Sequence, residues 1–292
     1  MAVSAMNAPH DPSQSPLAII GAGGSLPFAV ADAVKAAGRP FVLFAIEGVT
    51  DAARVASYPH HWVAVGQGGK LFNTMRAEGC RDIVVIGTLV RPPVWKMRLG
   101  LSTLLMLPSI ISAFRGGDDH LLKSLSRIAE RYGFRVVAAH EVAPSILMPE
   151  GYLTNREARA ADLDDIALGM EVLRAIGRFD IGQAAVVADR HVLAVEGAEG
   201  TDAMLERIAQ LRQRGRVHSP LGRGVLVKAP KPQQDRRFDL PGIGPKTVAA
   251  VKAAGLGGIA VIAGETVVAE LEMLRAAAED AGLFVTGLPA DH

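Results

Sequence analysis

Short, almost wholly aliphatic runs alternate with helix-length amphipathic stretches through the first half of this chain, and that alternation restricts its fold more than any other feature. Leu17 to Ile20, Phe41 to Ile46, Trp62 to Val65, Ile83 to Ile86 and Arg135 to Ala138 read as strands, and Leu26 to Ala37, Leu71 to Glu78 and Asp119 to Tyr132 as helices. Strands apolar on both faces must be covered on both sides, and strands joined by helices pair in parallel. A Rossmann-like parallel sheet sandwich is therefore expected. Aromatics at 5% within 49% hydrophobic residues agree with an Ala, Val and Leu interior between α/β layers.

With 292 residues there is chain enough for two cores. The stretch HEVAPSILMPEGYLT loses periodicity and carries Pro144, Pro149 and Gly151, so the boundary is placed there. The expected division is a disordered tail over residues 1–16, an N-terminal Rossmann-like domain over 17–143, a linker over 144–154 and a C-terminal α/β catalytic domain over 155–292. In the last, helix Leu163 to Gly177 precedes a hairpin of Gln183 to Val187 and His191 to Val195 around Asp189-Arg190. Helix Thr201 to Arg212, strand Gly224 to Lys228, helix Lys246 to Ala254, strand Ile259 to Ile262, helix Val267 to Ala281 and strand Leu283 to Thr286 follow, in a sheet order the sequence does not give.

Residues 1–16 lack a basic segment followed by an apolar core and do not read as a secretory signal. Leu99 to Phe114 is the most apolar segment, but Pro108 interrupts it and it is too short to span a bilayer. A single cysteine, Cys80, rules out an intramolecular disulfide and any multi-cysteine metal centre, which suits a reducing compartment.

Chemistry concentrates in KAPKPQQDRRFDLPGIGPKT, Lys228 to Thr247, a loop that Pro230, Pro232 and Pro241 keep from becoming helical. Lys228, Lys231, Arg236 and Arg237 stand beside Asp235 and Asp239, a mixture suited to a phosphate substrate with a divalent cation, or to a solvated, self-paired loop. LPGIGPKTVAAVKAAG resembles the second half of a DNA-binding helix-hairpin-helix, but two prolines and five charges stand where its first helix belongs. The balance of 31 Lys+Arg against 30 Asp+Glu, net +1, lacks the basic footprint of a nucleic-acid binder. What remains is a helix start near Pro245, with Thr247 in its first turn, whose free amides face an anion.

Three strand-end loops in the first half suggest a second binding edge. GAGGSLP, with Gly23, Gly24 and Ser25, opens the first helix, although Pro27 near the third-glycine region departs from GxGxxG. VGQGGK offers Lys70 but lacks P-loop spacing, and Thr88 lies in the loop after the fourth strand. Glu47 at the end of the second strand keeps an NAD-dependent oxidoreductase open. In EGAEGTDAML, Glu196, Glu199 and Asp202 flank Thr201, read first as a helix cap. Their kinship with Asp235 and Asp239 suggests a magnesium site, since Mg2+ takes oxygen ligands. Asp118-Asp119 reads as a cap, and the adjacent His60 and His61 do not suit one ion. Trp95, Lys96 and Arg98 before Leu99 to Phe114 suit a buried helix or a surface dipping among headgroups.

Taken together, GAGGSLP, GDDHLL, FDIGQAAVV, VEGAEGTDAML and the long charged motif resemble the LpxI-type UDP-2,3-diacylglucosamine pyrophosphatases of lipid A synthesis, over nearly the whole chain from about Leu17. The resemblance implies a two-domain, Mg2+-dependent hydrolase of a Gram-negative cell, with Mn2+ as substitute, that makes UMP and 2,3-diacylglucosamine 1-phosphate (lipid X). It implies attack on the phosphorus nearer the sugar, with substrate held between the domains. Asp235 becomes the essential catalytic residue, with Lys228 and Gln234 beside it, and Asp235, Asp202 and Glu196 become the metal ligands. Gly23, Gly24, Ser25, Lys70, Thr88, Thr201, Lys231, Arg237 and Thr247 become substrate contacts. A cytoplasmic protein visiting the inner membrane, with Trp95 to Phe114 capturing acyl chains, is expected, with room for a homo-oligomer. A lipid-nucleotide carrier without chemistry is the other class to separate.

Overall fold

The computed structural model describes residues 15–87, 126–232, 236–237 and 240–290. The chain divides into two compact units, Met1–Ser145 with Asp235–Asp239, and Ile146–Gln234 with Leu240–His292.

In the first unit, β1 (Leu17–Gly21), β2 (Phe41–Ile46), β3 (His60–Val63), β4 (Asp82–Ile86) and β5 (Arg135–Val136) form one sheet in the order β3-β2-β1-β4-β5, every pair parallel. Crossovers carry α1 (Leu26–Ala36), α2 (Ala52–Val55) and α3 (Gly68–Ala77). Of the helix expected over Asp119 to Tyr132, residues 126–131 are described and helical. The expected Rossmann-like sandwich is present. Strand β3 runs two residues earlier than Trp62 to Val65, starting where His60 registers with Leu43. It is an edge strand whose residues are only partly covered, so it lacks the aliphatic run that marks its neighbours. Strand β5 ends at Val136, short of Ala138. The four-residue α4 (Ala139–Val142) follows it.

At the amino edge of this sheet, Asp82 is fully buried. It accepts hydrogen bonds from Arg39 Nη2 at 2.7 Å and from Arg135 Nε and Nη2 at 2.8 and 3.0 Å. Burial alone would raise its carboxyl, but the hydrogen bonds and charges of Arg135 and Arg39 outweigh burial and hold it below the ordinary carboxylate range. A carboxyl lowered by folding stabilises fully above the unfolded value of about 3.9 and loses that contribution as pH falls through the folded value. Asp82→Asn should therefore cost about 3 kcal/mol at neutral pH, with a smaller deficit at about pH 2. Denaturant titrations at the two pH values measure this, and an equal deficit at both would refute the assignment.

The second unit holds a six-stranded sheet in the order β6-β13-β11-β9-β7-β8. Its strands are β6 (Gly151–Tyr152), β7 (Ala184–Ala188), β8 (His191–Val195), β9 (Val225–Lys228), β11 (Gly258–Ile262) and β13 (Phe284–Leu288). Strands β9, β11 and β13 are mutually parallel, whereas β7 is antiparallel to both β9 and β8, so β8 points the same way as β9. Residues alternate between two cores although nearly all are apolar. Leu226, Ile259, Val261 and Val285 face α6 (Gly200–Gln213), α7 (Pro245–Ala253) and α8 (Leu271–Ala281), and Val225, Val227, Ala260 and Phe284 face α5 (Ala160–Gly177). Coverage on both sides explains the continuous aliphatic runs.

The helix expected from Val267 to Ala281 is corrected. Val267–Val268 forms β12, paired parallel with β10 (Gly242–Ile243), and the helix begins only at Leu271, after Glu270 turns the chain with φ 56°. The last strand, expected over Leu283 to Thr286, runs from Phe284 to Leu288 after Gly282 at φ 65°. Residues 144–154, where a linker is expected, hold a 3₁₀ turn at Pro144–Ile146, a bridge from Leu147 to Val267, and β6, which pairs antiparallel with β13. The expected hairpin is present. Asp189 and Arg190 both have positive φ, and buried Asp165 accepts from their backbone N–H groups at 3.1 and 2.6 Å. Burial raises the Asp165 carboxyl despite those amides.

Candidate active site at the strand ends

Open α/β sheets bind ligands outside the carboxyl ends of parallel strands, where the strand order reverses. In the first unit the reversal lies between β1 and β4, and the loops there are pressed together. Ala22 N–H donates to the Ile86 carbonyl at 2.9 Å, and a β-carbon on Gly87, at φ 107°, would stand 2.7 Å from the Gly23 carbonyl oxygen. Gly24 turns with φ 88° into Ser25, the N-cap of α1, whose side chain makes no capping bond. Pro27 packs where a β-carbon on Gly21 would lie 2.9 Å from the Pro27 Cβ, which is how this turn differs from GxGxxG. Lys70 is exposed on the first turn of α3. Glu47 is exposed just past β2. Gly23, Gly24 and Ser25 thus line the reversal point, while Lys70 lies one loop farther out, past β3.

In the second unit the carboxyl ends of β8 and β9 and the start of β7 share one edge. Glu196 follows β8 and uses both oxygens. Oε2 accepts from the Gln183 backbone N–H at 2.7 Å and Oε1 from the Thr201 hydroxyl at 2.7 Å. Lys228, the last residue of β9 and only 7% exposed, donates from Nζ to Thr201 Oγ1 and to the Gly242 carbonyl, each at 3.0 Å. Lys231 is ion-paired with Asp180. Thr201 is not the helix cap expected of it: Glu199 occupies the N-cap and Thr201 lies inside the helix. Asp202 is exposed in the first turn of α6, and Glu199 pairs with Arg207 at 3.0 Å. Thr247 accepts the Gly244 N–H at 3.2 Å and caps α7.

Thus Glu196, Thr201 and Lys228 are brought into one chain of hydrogen bonds, while Asp202 and Thr247 stand outside it. Arg237 is partly exposed in the short segment grouped with the first unit. Thr88, Asp118, Asp119, Gln234, Asp235, Asp239 and the stretch Trp95 to Phe114 lie outside the described residues. The sequence alone assigns no site role to Asp180, Gly182, Gln183 or Gly242, although FDIGQAAVV is among the motifs that carry the family resemblance. The first three sit in FDIGQ, a motif whose glycine and acid were visible but whose partner strand was not.

A metal ion does not fit the described residues by themselves, since among them no three His, Cys, Asp or Glu side chains converge. His61 is engaged with Glu78 at 2.7 Å. The Cys80 thiol is pushed up to about 11, chiefly by burial, and is poorly suited to act as a thiolate.

The fold defines a two-domain α/β protein whose glycine-lined and lysine-bearing strand ends lie where proteins of this class bind anionic ligands. The chain belongs to the LpxI family: residues 16–146 match the LpxI N-terminal domain and residues 149–286 the LpxI C-terminal domain. It is 43% identical over 274 residues to the UDP-2,3-diacylglucosamine pyrophosphatase LpxI of Caulobacter vibrioides, an alignment covering 93% of this chain and 97% of the relative.

Proposed function

We propose that this protein hydrolyses the pyrophosphate of UDP-2,3-diacylglucosamine, releasing UMP and 2,3-diacylglucosamine 1-phosphate, in lipid A synthesis. The observation that carries the reading is 43% identity, over nearly the full length of both chains, to a relative of that name. Water forms a bond to one phosphorus as the anhydride P–O bond breaks. Charge then grows on the nonbridging and leaving oxygens, and fixed cations aimed there lower the barrier. Lys228 suits that role because Thr201 and the Gly242 carbonyl hold its ammonium before substrate arrives. Lys231, tethered to Asp180, is a second cation on the same edge. The loops at Gly23, Gly24, Ser25 and Gly87 hold the uridine diphosphate portion, with Lys70 and Thr88 assisting.

Asp235 is the proposed essential carboxylate, with Gln234 and Arg237 beside it in sequence. Dependence on Mg2+, with Mn2+ as substitute, rests on Asp235 and its neighbours in the loop, because the described residues do not assemble a cation site. Transient contact with the cytoplasmic face of the inner membrane through Trp95 to Phe114 belongs to the same proposal. Among the described residues no helix is long and apolar enough to cross a membrane.

Purified protein should release UMP from UDP-2,3-diacylglucosamine and leave added nicotinamide cofactors unchanged. Substrate binding without UMP release would make it a carrier, and nicotinamide turnover would make it an oxidoreductase. Chelation should lower turnover by about a hundredfold or more, and Mg2+ or Mn2+ should restore it. Full activity in metal-stripped protein would remove the cation and leave the hydrolase.

A further inference from the structure

The carboxylate, hydroxyl and ammonium at the ends of β8, α6 and β9 have only one self-consistent arrangement of protons. Lysine ammonium has donors and no acceptor, so Thr201 Oγ1 accepts from Lys228 Nζ at 3.0 Å. An ionised carboxylate has acceptors and no donor, so Thr201 gives its single proton to Glu196 Oε1 at 2.7 Å. The other Glu196 oxygen is anchored by the Gln183 backbone N–H at 2.7 Å. The start of β7, the exit of β8, the first turn of α6 and the exit of β9 are thereby joined in one directional chain whose two ends are charge-assisted.

We infer that Glu196 is a positioning residue for pyrophosphate hydrolysis: by taking the Thr201 proton it turns a Thr201 lone pair toward Lys228 and fixes the Lys228 ammonium at the carboxyl end of β9. The inference rests on the hydrolase reading and deepens it. Two corollaries depart from expectations drawn from sequence. With its proton committed, Thr201 has none to donate to a substrate phosphate. With each oxygen already accepting an internal hydrogen bond, Glu196 is assigned to holding Thr201 and not to holding a metal ion. Its negative charge, one hydroxyl away from the ammonium of a lysine that is itself buried, also offsets the cost of burying that cation. A lysine held in this way has given up its side-chain freedom before the reaction, so its loss should show in turnover more than in ground-state binding.

Glu196→Gln preserves shape but places an amide where the carboxylate was. It has one acceptor oxygen for two donors, and its N–H₂, if turned to Thr201, donates to the hydroxyl and leaves the Thr201 proton without the acceptor that oriented it. The expected result is a fall in kcat of about a hundredfold with KM changed by no more than about threefold. Thr201→Val should match it, and Thr201→Ser, which restores the hydroxyl, should recover most of the loss. Because the residues act through one chain, the Glu196→Gln, Thr201→Val double variant should be no worse than the poorer single variant.

The Mg2+ concentration for half-maximal activity should be the same in Glu196→Gln as in wild type. A raised requirement would mark Glu196 as a ligand and overturn the inference. So would a folded Glu196→Gln variant with wild-type kcat, a loss confined to KM, or multiplicative losses in the double variant. Should Glu196→Gln fail to fold, the Thr201→Val and Thr201→Ser pair decides alone, since both keep the Gln183 contact, and equal loss in both would overturn it. A wild-type protein that releases no UMP overturns the hydrolase reading and this inference with it. A competent wild type beside an unimpaired Glu196→Gln overturns this inference alone.

Discussion

Asp235→Ala should remain folded, with an unchanged denaturant midpoint, and lose turnover by about a thousandfold or more. The substitution removes a charged carboxylate from a proline-rich stretch that also carries Lys228, Lys231, Arg236 and Arg237 in sequence, and takes away no apolar side chain, so its effect should fall on chemistry and not on packing. If Asp235 acts on the attacking water or on the charge that forms in the transition state, kcat and kcat/KM should drop together while substrate binding survives. Single-turnover UMP release, with binding of the diacyl substrate measured separately, distinguishes these. Near-normal turnover in the folded variant would remove Asp235 from the site.

Gly182→Ala should be among the most damaging substitutions in the second unit although it adds only a methyl group. Gly182 turns the chain with φ 44°, where a side chain costs about 1 kcal/mol or more, and a β-carbon there would collide with the Glu196 carbonyl oxygen and lie 2.8 Å from its carbon and 2.9 Å from the Glu196 Cβ. The obstacle is the backbone and Cβ of the residue that orients Thr201, so relief must come from moving Glu196 itself. Loss of about 3 kcal/mol of stability is expected. Variants that remain folded at low temperature should show kcat reduced at least as much as Glu196→Gln. A stable variant with normal kcat would mean that the approach of Gly182 to Glu196 has no bearing on the site.

Much of the fold is legible in one sequence because burial on both faces writes aliphatic runs into β1, β2, β4, β7, β9, β11 and β13, and those runs mark the strands to within a few residues. Where burial leaves no such mark, the sequence does not fix the element. Edge strand β3 is partly exposed and looks like His-His-Trp-Val. The pair Val267–Val268 carries the same apolar signal whether it begins a helix or pairs with Gly242–Ile243, and only the partner decides. Thr201 sits after Glu199-Gly200 and resembles a cap, but the N-cap falls two residues earlier, at Glu199, and the Thr201 hydroxyl engages Glu196 and Lys228.

The sequence by itself determined the two α/β units, the glycine-lined turns of the first, the charged stretch from Lys228 to Thr247 and the family to which the chain belongs, because each is written in residues close together along the chain. Tertiary structure alone decided which charges meet. Glu196 and Lys228 are 32 residues apart in sequence, and only the antiparallel placement of β7 between β8 and β9 brings the exits of those two strands to one edge. Glu196, Thr201 and Asp202 look alike as candidates in a line of text. Hydrogen-bond directionality at that edge engages the first two with Lys228 and leaves Asp202 in solvent.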